Sequence, residues 1–386
     1  MGALDEFRTG TRAWLDENCP QSMRTSESED NMIGGGKKQV YTNPDSKMWL
    51  DRMASKGWTA PMWPTEYGGG GLNKDEFLIL QDEMIGINAR SPIGGMGFSM
   101  IGPTLLDYGT EEQKKEHLPK IASGEIRWCQ GYSEPGAGSD LASLQTKCED
   151  KGDYFLVNGQ KTWTSGAQYA DWIFTLVRTE PQAPKHEGIS FVLIDMDQPG
   201  VTVKPIKLIS GNSPFCETFF DDARCEKDNL VGQLNRGWTV GKRLLQHERS
   251  SISGLNSAGR RGRYDNMGTL PEVAKRYVGE KDSKIADTAL REAVVANTMN
   301  QTAFNLTQRR AMEENQSGGT PTFATSMFKY YGSETSKQRL EIQLSALGTQ
   351  SLGWEGDMFG QDEKTLTRTW LRSKAGTIAG GSSEIQ

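Results

Sequence analysis

Glu248 is the carboxylate whose placement raises a chemical question. In the run Leu244-Leu245-Gln246-His247-Glu248-Arg249-Ser250-Ser251-Ile252 it stands four residues after Leu244, three after Leu245, four before Ile252 and seven before Leu255. With a helical period those spacings set a carboxylate in the middle of an apolar stripe. Such a group is either ion-paired, here with Arg249 or Arg243, or desolvated with a raised pKa, and a desolvated carboxylate is a base suited to carbon acids near neutral pH. Spacing alone leaves both readings open, and the ion pair is the commoner outcome.

Two further segments could hold a ligand. Trp128-Cys129-Gln130-Gly131-Tyr132-Ser133-Glu134-Pro135-Gly136-Ala137-Gly138-Ser139-Asp140 reads as a strand ending in a glycine-rich, hydroxyl-rich loop. Glycines let backbone N–H groups approach a ligand, and Ser133 and Ser139 add donors, as a phosphate or a flavin edge would need. Trp163-Thr164-Ser165 sets an aromatic face beside hydroxyls. Taken singly, the first is also a polar turn and the second an ordinary packed tryptophan.

Other chemistries are disfavoured. Cys19, Cys129, Cys148, Cys216 and Cys225 include no pair two residues apart, and His117, His186 and His247 include no i, i+4 pair, so no metal site is expected. An odd cysteine count argues against a disulfide framework. Lys+Arg 44 against Asp+Glu 50 gives a net charge of −6 without a long like-charge run, which disfavours nucleic-acid or anionic-membrane binding. The start Met-Gly-Ala-Leu-Asp-Glu-Phe-Arg lacks a signal-peptide pattern, and no 18-residue apolar run occurs. The expectation is a cytoplasmic protein with reduced thiols and no membrane span.

The elements that must position these residues follow in three blocks, expected at 1–125, 126–236 and 237–386. The first is helical: Thr110-Glu111-Glu112-Gln113 is a capping-box start, and Phe77-Leu78-Ile79-Leu80 with Met84 and Ile85 forms an apolar face. In the second, Tyr154–Val157, Asn158-Gly159 and Gln160–Trp163 read as a hairpin with a type I′ turn. Strands are expected at 172–177, 189–194 and 201–206. No strand alternates with a helix, so a Rossmann fold is disfavoured. The third block is helical, including 279–300 and 337–347.

Taken together, Ser133-Glu134-Pro135-Gly136-Ala137-Gly138-Ser139-Asp140, Asn158-Gly159-Gln160-Lys161-Thr162-Trp163-Thr164-Ser165 and Gly380-Gly381-Ser382-Ser383-Glu384-Ile385-Gln386 resemble the acyl-CoA dehydrogenase family. Trp128–Pro135 with Ala142-Ser143-Leu144 and Ala170–Phe174 looks like its pimeloyl-CoA dehydrogenase large-subunit branch. The resemblance implies an α+β fold: a helical domain, a β-barrel or sandwich domain, and a C-terminal four-helix bundle. It also implies an FAD enzyme that desaturates an acyl-CoA thioester. A base removes the α-proton, a hydride leaves for flavin N5, and an electron-transfer flavoprotein takes the electrons. Carried over, Gln130, Tyr132, Ser133, Trp163 and Ser165 would meet the flavin, Ser382 and Glu384 would meet the cofactor from the C-terminal segment, and Ser139 and Arg249 would touch CoA.

Two departures from the family pattern matter. Many members carry the base in the C-terminal loop, at the position filled here by Gly380, which retains only a backbone N–H for polarising the thioester carbonyl. A minority carry it on the helix after the β domain, directly before an arginine, where this chain has Glu248-Arg249. The resemblance therefore turns the reading of Glu248 toward catalysis. The second departure is that the Arg, Phe-Gly and Gln run that supplies adenine contacts in most members is absent, with Arg260-Arg261-Gly262-Arg263-Tyr264 a poor substitute. The resemblance thus admits a homo-oligomer (dimer or tetramer) or a heteromer with a second dehydrogenase subunit. Two other readings stand beside it, a non-catalytic subunit completing a heteromeric dehydrogenase, and an oxidase of the same fold. Met96, Phe98 and Met100 are candidates for the acyl pocket, with core packing the alternative, and a medium-length acyl chain is weakly favoured.

Overall fold

Helix starts are written into the chain as side-chain caps. Asn43 accepts from the N–H of Asp45, Asn73 from Asp75 and Glu76, and Thr110 from Gln113 at 3.2 Å, with Gln113 returning a bond to the Thr110 N–H. These caps open three of the five N-terminal helices, α1 (Ala3–Asn18), α2 (Pro44–Ser55), α3 (Lys74–Gly86), α4 (Gly102–Tyr108) and α5 (Glu111–Ala122). A π turn, Gly97–Ile101, runs directly into α4. The computed structural model describes residues 2–25, 32–252, 267–316 and 324–386.

The middle of the chain is a sheet of eight strands: β1 (Trp128–Gly131), β2 (Lys147–Asp150), β3 (Tyr154–Ser165), β4 (Trp172–Arg178), β5 (Ile189–Asp195), β6 (Val201–Ile206), β7 (Phe215–Glu226) and β8 (Leu230–Val231). Their order is β6-β7-β3-β2-β4-β5-β8, with β1 parallel to β4. Period-two alternation sends the two faces to different cores. Phe174, Leu176, Phe191 and Leu193 join Leu105, Leu118 and Ile121 from the helices, whereas Ile173, Val177, Val192 and Ile194 join Cys129, Cys216 and Phe220. All five cysteines are free thiols and buried.

Asn158-Gly159 does not turn the chain. β3 runs straight through it, paired along its length with β7, and the extra residue of the bulge is on β7, where Asp222 takes φ 54°. The Asn158 amide is held instead by Asp222, its Nδ2 donating to Oδ1 at 2.9 Å and its Oδ1 accepting from the Asp222 N–H at 2.8 Å. Gly159, at φ 151°, lies so close to Thr146 that a Cβ would come within 2.8 Å of the Thr146 Cα. The glycine serves close strand approach rather than a hairpin turn.

After the sheet come α6 (Gly237–Ile252), α7 (Leu270–Val278), the two-residue strands β9 (Glu280–Lys281) and β10 (Lys284–Ile285), α8 (Thr288–Gln316), α9 (Ala324–Leu347) and α10 (Gln361–Ser373). Residues 279–287 are therefore not helical as their composition suggested. Gly279 leaves α7 at φ 90°, and Asp282 and Ser283, both at positive φ, turn a short ladder before α8 begins. The described residues divide into two compact units, Met1–Ile206 with Pro214–Glu248, and Lys207–Ser213 with Arg249–Gln386. In the second unit, Leu340 and Leu347 of α9 pack with Val273 and Leu366, and Ile342 packs with Leu270 and Val294.

Candidate active site

In the first unit, the loop after β1 and the end of β3 are brought together, as their combination in sequence suggested. The N–H of Thr162 donates to the Ser133 carbonyl at 2.8 Å, so Ser133 and Trp163 lie on adjoining backbone. Between Lys161 and Thr164 the pairing with β7 slips by one residue, and at this bulge Trp163 takes φ 59°. The left-handed conformation is costly for a tryptophan, and it re-aims the side chain. Trp163 is 56% exposed, standing edge-on to Phe215 with ring centroids 6.0 Å apart.

Two polar atoms on the strands that carry these segments lack protein partners. Gln130 Nε2 and Thr164 Oγ1 are buried and unbonded among the described residues. Buried polar atoms left this way point to a missing ligand or water. An exposed aromatic plane on β3, with unsatisfied polar atoms on β1 and β3, fits a flat, largely apolar ring system with polar groups along its edge, such as a flavin.

A buried ion pair joins the same two segments. Lys161 Nζ, on a fully buried side chain, sits 2.7 Å from Glu134 Oε1 and donates to the Tyr132 carbonyl at 3.3 Å. Glu134 also accepts from the N–H groups of Gln145 at 2.6 Å and Thr146 at 2.9 Å. Burial pushes the Lys161 ammonium down to about 8, with Glu134 opposing. Burial also works against the Glu134 carboxylate, but Lys161 and the N–H donors outweigh it and hold the carboxyl below its ordinary value. Arg178 secures the far end of the loop through the carbonyls of Ala142 at 2.7 Å and Leu144 at 3.3 Å. Sequence reading placed Lys161 only as a strand residue. Its signal is a lysine on the inward-facing register with Phe155 and Val157, but its partner is 27 residues away.

α6 supports the same loop. Val240 and Leu244 are buried in the core that holds Tyr132, and Tyr132 Oη stands 3.5 Å from the Gly241 carbonyl. Glu248 follows Gly241 by seven residues and Leu244 by four, so it occupies the next position of that helical stripe. The side chains of Glu248 and Arg249, together with Leu255 and Arg260–Tyr264, lie outside the described residues. Asp107 on α4 ties down the turn before it, accepting from Arg243 Nε at 2.8 Å and facing His247 Nε2 at 3.2 Å. The Arg243 of the expected ion pair is thus engaged by Asp107.

Ser139 is exposed, beside Asp140, which pairs with Lys185. Met100 is a core residue at 4% exposure, Phe98 stacks on Trp63 with centroids 5.8 Å apart, and Met96 is partly buried. Met100 therefore follows the core-packing alternative.

In the second unit, Gly380 and Gly381 take φ 69° and 92°, and Lys329 Nζ on α9 holds the Gly381 carbonyl. Its own backbone N–H and the Ser382 hydroxyl keep the Glu384 carboxyl below its ordinary value. A cavity of about 430 Å³ lined by Ser326, Met327, Tyr330, Ser383 and Gln386 adjoins this turn, with Ser383 Oγ buried and unbonded. Neither Lys329 nor Ser383 carried a sequence signal for such a role.

Models of the acyl-CoA dehydrogenase N-terminal, middle and C-terminal domains match residues 4–125, 129–223 and 235–386. The chain belongs to the acyl-CoA dehydrogenase family. It is an oxidoreductase of that family, and its cofactor is FAD. It is 36% identical to the acyl-CoA dehydrogenase IpdE1 of Mycolicibacterium smegmatis, over all of this chain and 96% of that one. The Mycobacterium tuberculosis protein of the same name is 33% identical over the same shares. Among solved structures, the Tcur3481-Tcur3483 steroid ACAD matches with a TM-score of 0.74 at 30% identity, covering 99% of this chain and 94% of that one. The ChsE4-ChsE5 complex from Mycobacterium tuberculosis matches at 0.69 and 28%, covering 100% and 95%. Among the described residues, no helix is long and apolar enough to cross a membrane.

Proposed function

We propose that this chain desaturates an acyl-CoA thioester to the α,β-enoyl-CoA with Glu248 as the α-proton base. The observation that supports the reading is α6: it packs Val240 and Leu244 behind the Tyr132 loop and meets Tyr132 at Gly241, and in sequence Glu248 follows Leu244 by four residues. Gln130, Tyr132, Ser133, Trp163 and Ser165 hold the flavin ring, and Ser382 and Glu384 hold the cofactor from the C-terminal segment. FAD, when bound, supplies the two-electron acceptor. Ser139 and Arg249 bind the CoA portion. Glu248 takes the α-proton onto a carboxylate oxygen, and the backbone N–H of Gly380 polarises the thioester carbonyl as negative charge develops there. An electron-transfer flavoprotein then takes the electrons.

The acyl group in this reading is bulky and ring-bearing rather than linear and of medium length. Support comes from the steroid ACAD match. Anaerobic reduction of the holoenzyme by a panel of linear, dicarboxylic and ring-bearing acyl-CoAs tests this. Reduction by linear thioesters alone would contradict the ring-bearing assignment. Reoxidation by an electron-transfer flavoprotein far faster than by air is expected, and the reverse would make the protein an oxidase.

The matched steroid ACAD and ChsE4-ChsE5 structures favour a second reading of assembly, in which this chain is the base-bearing half of a two-chain enzyme. FAD retention and turnover by the chain purified alone would overturn it.

A further inference from the structure

Lys161 and Glu134 belong to neither the exposed ring surface nor the base helix, yet together they tie the backbone of the Tyr132 loop to β3 and to the segment just before β2. Lys161 Nζ holds the Tyr132 carbonyl, Glu134 holds the N–H groups of Gln145 and Thr146, and the pair itself closes at 2.7 Å with side-chain exposures of 0% and 8%. The residue after Lys161 takes the Ser133 carbonyl, and the residue after that is Trp163. A cation sealed in a sheet is costly unless its geometry is matched by its partners. A β domain needing only stability would fill the site at least as well with apolar side chains.

We propose that Lys161 and Glu134 are positioning residues that set the spacing between the Gln130–Ser133 loop and the Trp163 bulge, and thereby the grip on the flavin ring. With Tyr132 and Ser133 carbonyls both turned toward β3, the loop is locked against the strand that presents Trp163. The inference rests on the reading that these two segments hold the ring, so the test separates the two. Trp163→Ala probes the reading itself: release of FAD at the parental rate would remove the flavin from this surface.

Lys161→Met leaves Glu134 buried without its cation, and this variant is expected to melt lower as well as to lose FAD faster. Because it could also fail to fold, the deciding variant is Glu134→Gln/Lys161→Met, which removes both charges. In the purified holoenzyme the double variant should melt within a few degrees of the parent. It should still release FAD about 10- to 100-fold faster, with altered near-ultraviolet circular dichroism of the bound flavin. A double variant that restores parental melting, release rate and flavin dichroism together would overturn the proposal and leave the pair a purely structural one. The same holds if Lys161→Met alone folds and retains FAD as the parent does.

Discussion

The N–H of Thr162 donates to the carbonyl of Ser133 at 2.8 Å, so the strand that ends in Trp163 and the loop that carries Ser133 are one backbone bond apart. Beside that bond Trp163 holds φ 59° while its ring stays 56% exposed. A strained residue presenting an apolar plane to solvent is a poor arrangement for folding and a good one for a ring ligand.

This arrangement separates two costs in one position. Trp163→Gly accepts the left-handed backbone freely, whereas Trp163→Ala keeps most of the strain and loses the ring just the same. The glycine variant is expected to be more stable than the alanine variant by about 1 kcal/mol, while both release FAD at least roughly tenfold faster than the parent. Paired denaturation curves and FAD release rates check this. Either variant holding FAD as tightly as the parent would detach Trp163 from the cofactor.

Gly159 couples the sheet to the buried pair. A methyl group there meets the Thr146 Cα at 2.8 Å, and the Thr146 N–H is one of the donors to Glu134. Gly159→Ala should destabilise the fold by roughly 1–3 kcal/mol and weaken FAD binding along with it. Parental stability in this variant would mean that β2 and β3 can separate without cost.

His117 gives the stability a defined acid limb. It is 2% exposed, with its ring edge-on to Trp128 at 5.2 Å and to Trp172 at 4.9 Å. Burial pushes its pKa down to about 4, with Glu116 opposing and Lys120 adding to the drop. The unfolded chain takes up a proton near pH 6.5, the ordinary histidine value, and the folded chain resists until about 4. The unfolded state therefore binds more protons in that window, and stability falls on acidification by up to about 1.4 kcal/mol per pH unit. Denaturant unfolding between pH 7 and 4 should show that slope reduced in His117→Phe. An unchanged slope would place the acid sensitivity elsewhere.

Much of this fold is legible in local chemistry. The Thr110 capping box, the short apolar runs in Trp172–Arg178 and Ile189–Asp195, and the stripe through Leu244 each declare their element over a few residues. Asn158-Gly159 reads as a turn in sequence because a dipeptide that suits a tight turn equally suits a strand whose neighbour needs close approach; the deciding contacts, Asp222 and Thr146, lie on other segments. Lys161 was passed over for the same reason, since its partner Glu134 lies on another segment. The Ser133 loop and Trp163 stand out in the sequence because each is itself unusual, a glycine-rich run and an aromatic among hydroxyls. Glu248 stood out because a carboxylate interrupts an apolar period.

The most direct measurement is the anaerobic rate of flavin reduction by an acyl-CoA substrate in the Glu248→Gln holoenzyme. The amide preserves shape and removes basicity, so FAD content and melting temperature should match the parent while the reduction rate falls by about 10²–10⁴-fold. A Gln variant that reduces its flavin as fast as the parent would show that another group removes the α-proton.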